Sequence, residues 1–209
     1  MRIPFLDLKS QYLSIKKEID REVLDTLKST NYSLGPKVRL FEENFSKFCN
    51  SKFTIGLNSG TSALHLALDA LNIGKGDEVI VPAMTFVATP MSVSYTGAKP
   101  VFVDTFYPSG LINYNEIEKK ITSRTKAIIP VHLYGQACNM KEIIAISKRH
   151  KLKIIEDCAQ SQGAKYKKRF CGTMGNLGCF SFYPTKILGA YGDGGFILTN
   201  DYSLYKKIK

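Results

Sequence analysis

Long apolar runs are missing from this 209-residue sequence. The longest is about six residues, far short of the ~20 a helix needs to cross a bilayer, so no segment here is expected to span one as a helix. Cysteine pairs are missing too: Cys49, Cys138, Cys158, Cys171 and Cys179 are odd in number and far apart, with no C-x-x-C. A zinc knuckle or redox dithiol is thereby excluded, and buried reduced thiols are the expectation. The three histidines show no metal-ligand spacing, so no metal site is expected. No G-x-S-x-G elbow is present to support a hydrolase triad, and no G-x-G-x-x-G opens a helix to support a dinucleotide fold. No repeat, low-complexity tract or Pro/Ser-rich linker divides the chain. We therefore expect one domain over residues 1–209, with an N-terminal helical segment over 1–50. The start, Met1 to Asp7, reaches an acidic residue before any signal-peptide core forms, and a cytoplasmic protein is expected.

What is there is ordinary for a folded protein: 44% hydrophobic, 22% charged and 11% aromatic residues. The net charge of +11 is uneven. Residues 1–104 hold 12 basic against 11 acidic side chains, and residues 105–209 hold 17 against 7. The basic residues fall on helix faces and one loop (Lys165, Lys167, Lys168, Arg169), not in an arginine-rich stripe interleaved with aromatics. That pattern argues against nucleic acid and suits a phosphorylated small molecule.

Tyr12, Ile15, Ile19, Val23 and Leu27 recur at steps of three and four and predict a helix with one apolar face. Val38, Phe41, Phe45 and Phe48 predict a second, entered through Gly35-Pro36. Short apolar runs follow at 53–57, 78–81, 100–103, 127–131, 153–155, 179–182 and 196–199, most of them separated by helical stretches. Strands alternating with helices predict an α/β fold in three layers, a mostly parallel central sheet flanked by helices. Ligands in such sheets bind at the carboxyl ends of strands.

Three segments carry chemistry. In Asn58-Ser59-Gly60-Thr61-Ser62-Ala63-Leu64 a strand turns through glycine into a helix, an arrangement that binds an anion on free backbone N–H groups; Ser59 or Thr61 acting only as a helix cap is the plainer alternative. Glu156-Asp157-Cys158-Ala159-Gln160 puts two carboxylates at a strand end, one of them expected to face the crevice. A protonated ring nitrogen would keep that carboxylate ionised, although a helix cap or a lysine partner would also account for it. Lys186 sits in Phe182-Tyr183-Pro184-Thr185-Lys186, between aromatic and glycine-rich flanks that would favour an amine nucleophile over a surface charge. His132, at another strand end, reads as a hydrogen-bonding residue behind a site more than as a catalyst.

Phosphate cradle, strand-end aspartate and loop lysine, in that order, are the three anchors of a pyridoxal-phosphate site. Over almost its whole length the sequence also resembles the DegT/DnrJ/EryC1/StrS sugar aminotransferases, within the fold-type I pyridoxal-phosphate enzymes. The resemblance runs through Phe5-Leu6-Asp7-Leu8, Leu34-Gly35-Pro36, the segments at 58–64, 85–89, 130–135 and 156–160, and Phe180 to Lys186. It implies that Lys186 holds the cofactor as a Schiff base and later moves the proton, and that Asp157 keeps the pyridine nitrogen protonated. Gly60, Thr61 and Ser181 would hold the phosphate. Phe86 would stack on the ring, unless it is a core residue, and Gln160 would hydrogen-bond near the ring oxygen. The implied reaction takes an amino group from glutamate to a keto sugar of a nucleoside-diphosphate sugar, in a homodimer.

Two departures from the family pattern are Ile187, where asparagine commonly follows the lysine, and Asn176, where aspartate is usual. Members of the family also continue into a smaller C-terminal domain that we expect these 209 residues to lack, and residues 201–209 read as the first turns of an interrupted helix. Two alternatives follow: a truncated, catalytically silent dimerisation or binding domain, or a related sugar dehydratase. In the dehydratases histidine replaces the lysine, so Lys186 argues against that reading.

Overall fold

The computed structural model describes residues 3–209; Met1 and Arg2, where the reading of the chain's start begins, lie outside the described residues. Two helices come first, α1 (Leu8–Ser29) and α2 (Pro36–Cys49), followed by β1 (Phe53–Leu57), α3 (Gly60–Ala70), β2 (Glu78–Pro82), α4 (Ala88–Tyr95) and β3 (Lys99–Val103). A short α5 (Tyr114–Ile117), β4 (Thr125–Ile128), α6 (Met140–His150) and β5 (Lys153–Asp157) come next. The hairpin β6 (Lys165–Tyr166) and β7 (Arg169–Phe170), then β8 (Leu177–Ser181), β9 (Gly195–Thr199) and α7 (Tyr202–Ile208), complete the order.

The main sheet has seven strands in the order β1-β9-β8-β5-β4-β2-β3. Only β9 runs against the others, pairing antiparallel with β1 and β8, while the remaining neighbours are parallel. Because strand side chains alternate between faces, Val79, Val81, Ile155, Cys179 and Ile197 pack on one side against Ala63, Leu64, Ala67 and Leu68 of α3. Ile80, Ile128 and Ile154 pack on the other side against Met140, Ile143 and Ile146 of α6. Phe45 of α2 joins that second side beside Phe180 and Phe196, whose rings stack 4.3 Å apart. This is the three-layer, mostly parallel fold expected from the alternation of apolar runs and helices. All five cysteines are buried and free.

Several local expectations change. The strand expected over 127–131 ends at Ile128, because Pro130 has no N–H for the ladder, and Val131 makes only an isolated bridge to Asp157. The basic loop is a hairpin, with Lys165 and Arg169 in its two strands. Helix α1 forms, capped by the Asp7 carboxylate accepting from the Ser10 N–H at 2.9 Å, but buries none of its residues. Its periodic Ile15, Val23 and Leu27 are exposed, whereas α2 does bury Phe45 and Cys49. Gly35 caps α2 and Pro36 is its first residue, the position where a missing N–H costs nothing.

Candidate active site

The carboxyl ends of the central parallel strands open into a cavity of about 510 Å³. Its wall includes Gly60 and Thr61 from the start of α3, Phe86 from the loop before α4 and Asp157 at the end of β5. Gln160, Ser181 at the end of β8, and Lys186 in the loop beyond it complete the seven residues singled out in the sequence. They come from five separate stretches of chain.

One end of the cavity suits an anion. Ser59 does cap α3, its Oγ accepting from the Ser62 N–H at 3.0 Å, but that leaves the Gly60 and Thr61 N–H groups with no acceptor inside the helix. Glycine is required at position 60 because a Cβ would lie 2.8 Å from the Ser181 Cβ. A Cβ on Gly195 would lie 2.4 Å from the Ser59 carbonyl carbon, so α3 approaches the ends of both β8 and β9 more closely than side chains permit. Ser181 is buried; its Oγ accepts from the Tyr183 N–H at 3.2 Å and its carbonyl accepts from Gln162 Nε2 at 2.6 Å.

At the end of β5 the two adjacent carboxylates point opposite ways. Asp157 lines the cavity although only 4% of its surface is exposed; it accepts from the Ala159 N–H at 3.1 Å and from the Thr89 hydroxyl at 2.8 Å. Burial pushes its carboxyl above the usual value, and the Ala159 and Thr89 hydrogen bonds together with Lys186 only partly offset that. Glu156 turns into the protein and accepts four hydrogen bonds, from His132 Nε2 at 3.0 Å and from the N–H groups of Gly172, Met174 and Gly175 at 2.8, 2.7 and 2.6 Å. Burial opposes its charge most, yet His132 and the backbone donors outweigh burial and hold the carboxyl below the usual range. The Cys138 N–H donates to His132 Nδ1 at 3.0 Å, so the Nε2 proton goes to Glu156. His132, Glu156 and Cys158 lie close together, but the carboxylate oxygens and both imidazole nitrogens are already spent, which makes this a hydrogen-bonded hub.

Gln160 is oriented by a backbone turn. Its Oε1 accepts from the Tyr134 N–H at 2.7 Å, where Tyr134 adopts φ 54°, and its amide nitrogen remains as a donor. Phe86 is 70% exposed and is not a core residue. Lys186 is half-buried at the cavity wall, in a turn closed by its own N–H donating to the Tyr183 carbonyl at 2.8 Å. Two residues went unmarked in the sequence, Thr89 and Thr85. The Thr85 Oγ1 lies 2.7 Å from that of Thr89, and the only available signal was their place in Thr85-Phe86-Val87-Ala88-Thr89.

Free helix N–H groups at one end, a buried carboxylate behind and an amine at the wall can take, respectively, an anionic group, a cationic one and a carbonyl carbon. The chain belongs to the DegT/DnrJ/EryC1/StrS aminotransferase family, whose model matches residues 13–209. It is 45% identical over 208 residues to the UDP-2-acetamido-2-deoxy-3-oxo-D-glucuronate aminotransferase of Pseudomonas aeruginosa, covering 99% of this chain and 58% of that one. Among solved structures it is similar to DesV of Streptomyces venezuelae in complex with a ketimine intermediate, with a TM-score of 0.96 and 44% identity, covering 99% of this chain and 56% of that one. It is also similar to ntda of Bacillus subtilis with bound cofactor PMP, with a TM-score of 0.93 and 34% identity, covering 99% and 47%. The chain thus spans little more than half the length of the curated relatives it matches. Among the described residues, no helix is long and apolar enough to cross a membrane.

Proposed function

We propose that this chain is the cofactor-binding part of a pyridoxal-phosphate-dependent aminotransferase that moves an amino group from glutamate to the keto sugar of a nucleoside-diphosphate sugar, as a cytoplasmic homodimer. The observation that carries this reading is the meeting of the α3 N-terminus, Asp157 and Lys186 around one cavity. The glycine-enforced approach of α3 to β8 leaves a recess that a Cβ would fill, and the donors there suit a phosphate.

When bound, pyridoxal phosphate supplies an aldehyde and an electron-accepting pyridinium ring. The Gly60 and Thr61 N–H groups and the Thr61 and Ser181 hydroxyls hold its phosphate. Asp157 holds a proton on the ring nitrogen: a cation there relieves the cost of the buried carboxylate, which otherwise drifts toward its neutral form. Phe86 covers a ring face, and Gln160 donates its amide N–H toward the ring oxygen. Lys186 Nζ would hold the cofactor at its aldehyde carbon and would carry the proton that the amino-group transfer moves. The excess of basic residues in the second half of the chain favours a diphosphate substrate.

The test is a visible spectrum of the purified chain with pyridoxal phosphate, followed by glutamate and a nucleoside-diphosphate keto sugar. The expected result is an absorption band that glutamate bleaches with release of 2-oxoglutarate, absent in Lys186→Ala. Release of a deoxy sugar without 2-oxoglutarate would overturn the transaminase reading. A second reading rests on the chain's share of its relatives' length: a domain that binds the cofactor yet turns nothing over by itself. A band that glutamate leaves unchanged, with turnover gained only in a longer chain, would favour it.

A further inference from the structure

We propose that Thr89 is a positioning residue, holding the Asp157 carboxylate ionised and aimed into the cavity through a one-way hydroxyl chain that begins at Thr85. This rests on the reading of Asp157 as the partner of a protonated ring nitrogen.

The direction follows from counting protons. An ionised carboxylate only accepts, and a threonine hydroxyl has one proton to give. Thr89 Oγ1 spends it on Asp157 Oδ2 at 2.8 Å. The 2.7 Å contact between the two threonine hydroxyls is therefore donated by Thr85, and each bond polarises the next. With the Ala159 N–H on Oδ1, two of the carboxylate's roughly four acceptor positions are filled from behind and the rest are left for the cavity.

The placement is built, not incidental. Thr89 is fully buried in the first turn of α4, and its N–H donates to the Phe86 carbonyl at 3.0 Å. One residue thus ties the loop bearing Phe86 to a carboxylate 68 positions away on β5. Thr85 lines the cavity itself, so with its proton committed to Thr89 it presents only lone pairs there. The other ionisable groups facing Asp157 are His132 from the loop after β4, Lys186 from the loop after β8 and the Cys179 thiol on β8; Glu156, next to it on β5, turns away. None of these donates a hydrogen bond to the carboxylate, so the hydroxyl is its only side-chain donor among the described residues.

The experiment compares Thr89→Val, Thr89→Ser and Thr85→Val with the parent. In the ligand-free chain, the Asp157 carboxyl is followed by carbon-13 NMR as pH is varied. Thr89→Val is expected to titrate at higher pH than the parent, Thr85→Val to move less in the same direction, and Thr89→Ser to return to the parent value. With pyridoxal phosphate added, the valine variant at position 89 should bind about tenfold more weakly, the loss expected for a hydrogen bond to a charged group, and the serine variant should recover most of that. An unmoved Asp157 titration in both valine variants overturns the proposal, as does a serine variant no better than valine. A parent chain that binds no pyridoxal phosphate while the titrations move as expected would retain the hydroxyl chain and overturn the cofactor reading instead.

Discussion

The two sides of the end of β5 differ in a way that separates structure from chemistry. On one side Glu156 is fully buried and accepts four hydrogen bonds. On the other, Asp157 is almost as deeply buried and accepts two from the protein, on the wall of a cavity. Consecutive strand residues face opposite ways, so one dipeptide serves both the core and the site. Glu156 is stabilised as an anion by the fold alone. Asp157 is left short of donors and depends on what enters the cavity, the arrangement in which a protein keeps binding energy for a ligand instead of for its own stability.

The largest expected effect lies on the satisfied side. Glu156→Ala leaves three backbone N–H groups and His132 without their acceptor and should cost about 3–5 kcal/mol in urea unfolding. A loss below about 1 kcal/mol would mean that the loop over 172–175 finds other acceptors. Next is Gly60→Ala, where the new methyl meets Ser181. It should cost about 1–3 kcal/mol and weaken binding of pyridoxal phosphate, read by the same unfolding curves and by a cofactor titration. Asp157→Asn should leave the ligand-free chain within about 1 kcal/mol of the parent while abolishing cofactor retention on gel filtration.

Their pH dependences should have opposite signs. Glu156 sits below its ordinary value of 4.5, so its contribution to stability is complete above that value and is lost as pH falls through the lowered folded value. Asp157 sits above its ordinary 3.8, so its contribution is complete below 3.8 and is lost as pH rises through the raised folded value. Unfolding midpoints measured from about pH 3 to about pH 8 should show Glu156→Gln removing an acid-side loss and Asp157→Asn removing the opposite one. The smallest effect belongs to neither side: Leu27→Gln on the exposed face of α1 should change stability by no more than about 0.5 kcal/mol in this chain.

These contrasts also explain which parts were legible in the residues. Apolar runs located all seven strands of the main sheet within a few positions, because a strand covered on both faces needs continuous apolar side chains. The two-residue strands of the β6–β7 hairpin are too short to leave a period. The α1 periodicity predicts a helix correctly and does not reveal that, among the described residues, its face is only partly covered, with Tyr12 and Ile19 half-buried and Ile15, Val23 and Leu27 exposed, since periodicity encodes an apolar side without naming a partner. Gly60, Asp157 and Lys186 stood out because each breaks its local pattern with a residue type suited to one task. Thr89 and Thr85 did not, because a threonine in a first helical turn is ordinary and its partner lies on another strand. The tie from Gln160 to the Tyr134 N–H is hidden for the same reason: a backbone donor leaves no mark in the side-chain sequence.

The central claim is that the cavity between α3, β5 and β8 holds pyridoxal phosphate on Lys186. It is tested most directly by incubating the chain with the cofactor, reducing with borohydride and mapping the modified peptide by mass spectrometry. The account predicts one adduct per chain, on Lys186, and its loss when the α3 cradle is filled by Gly60→Ala. Adducts scattered over the surface lysines with Lys186 unmodified would contradict it.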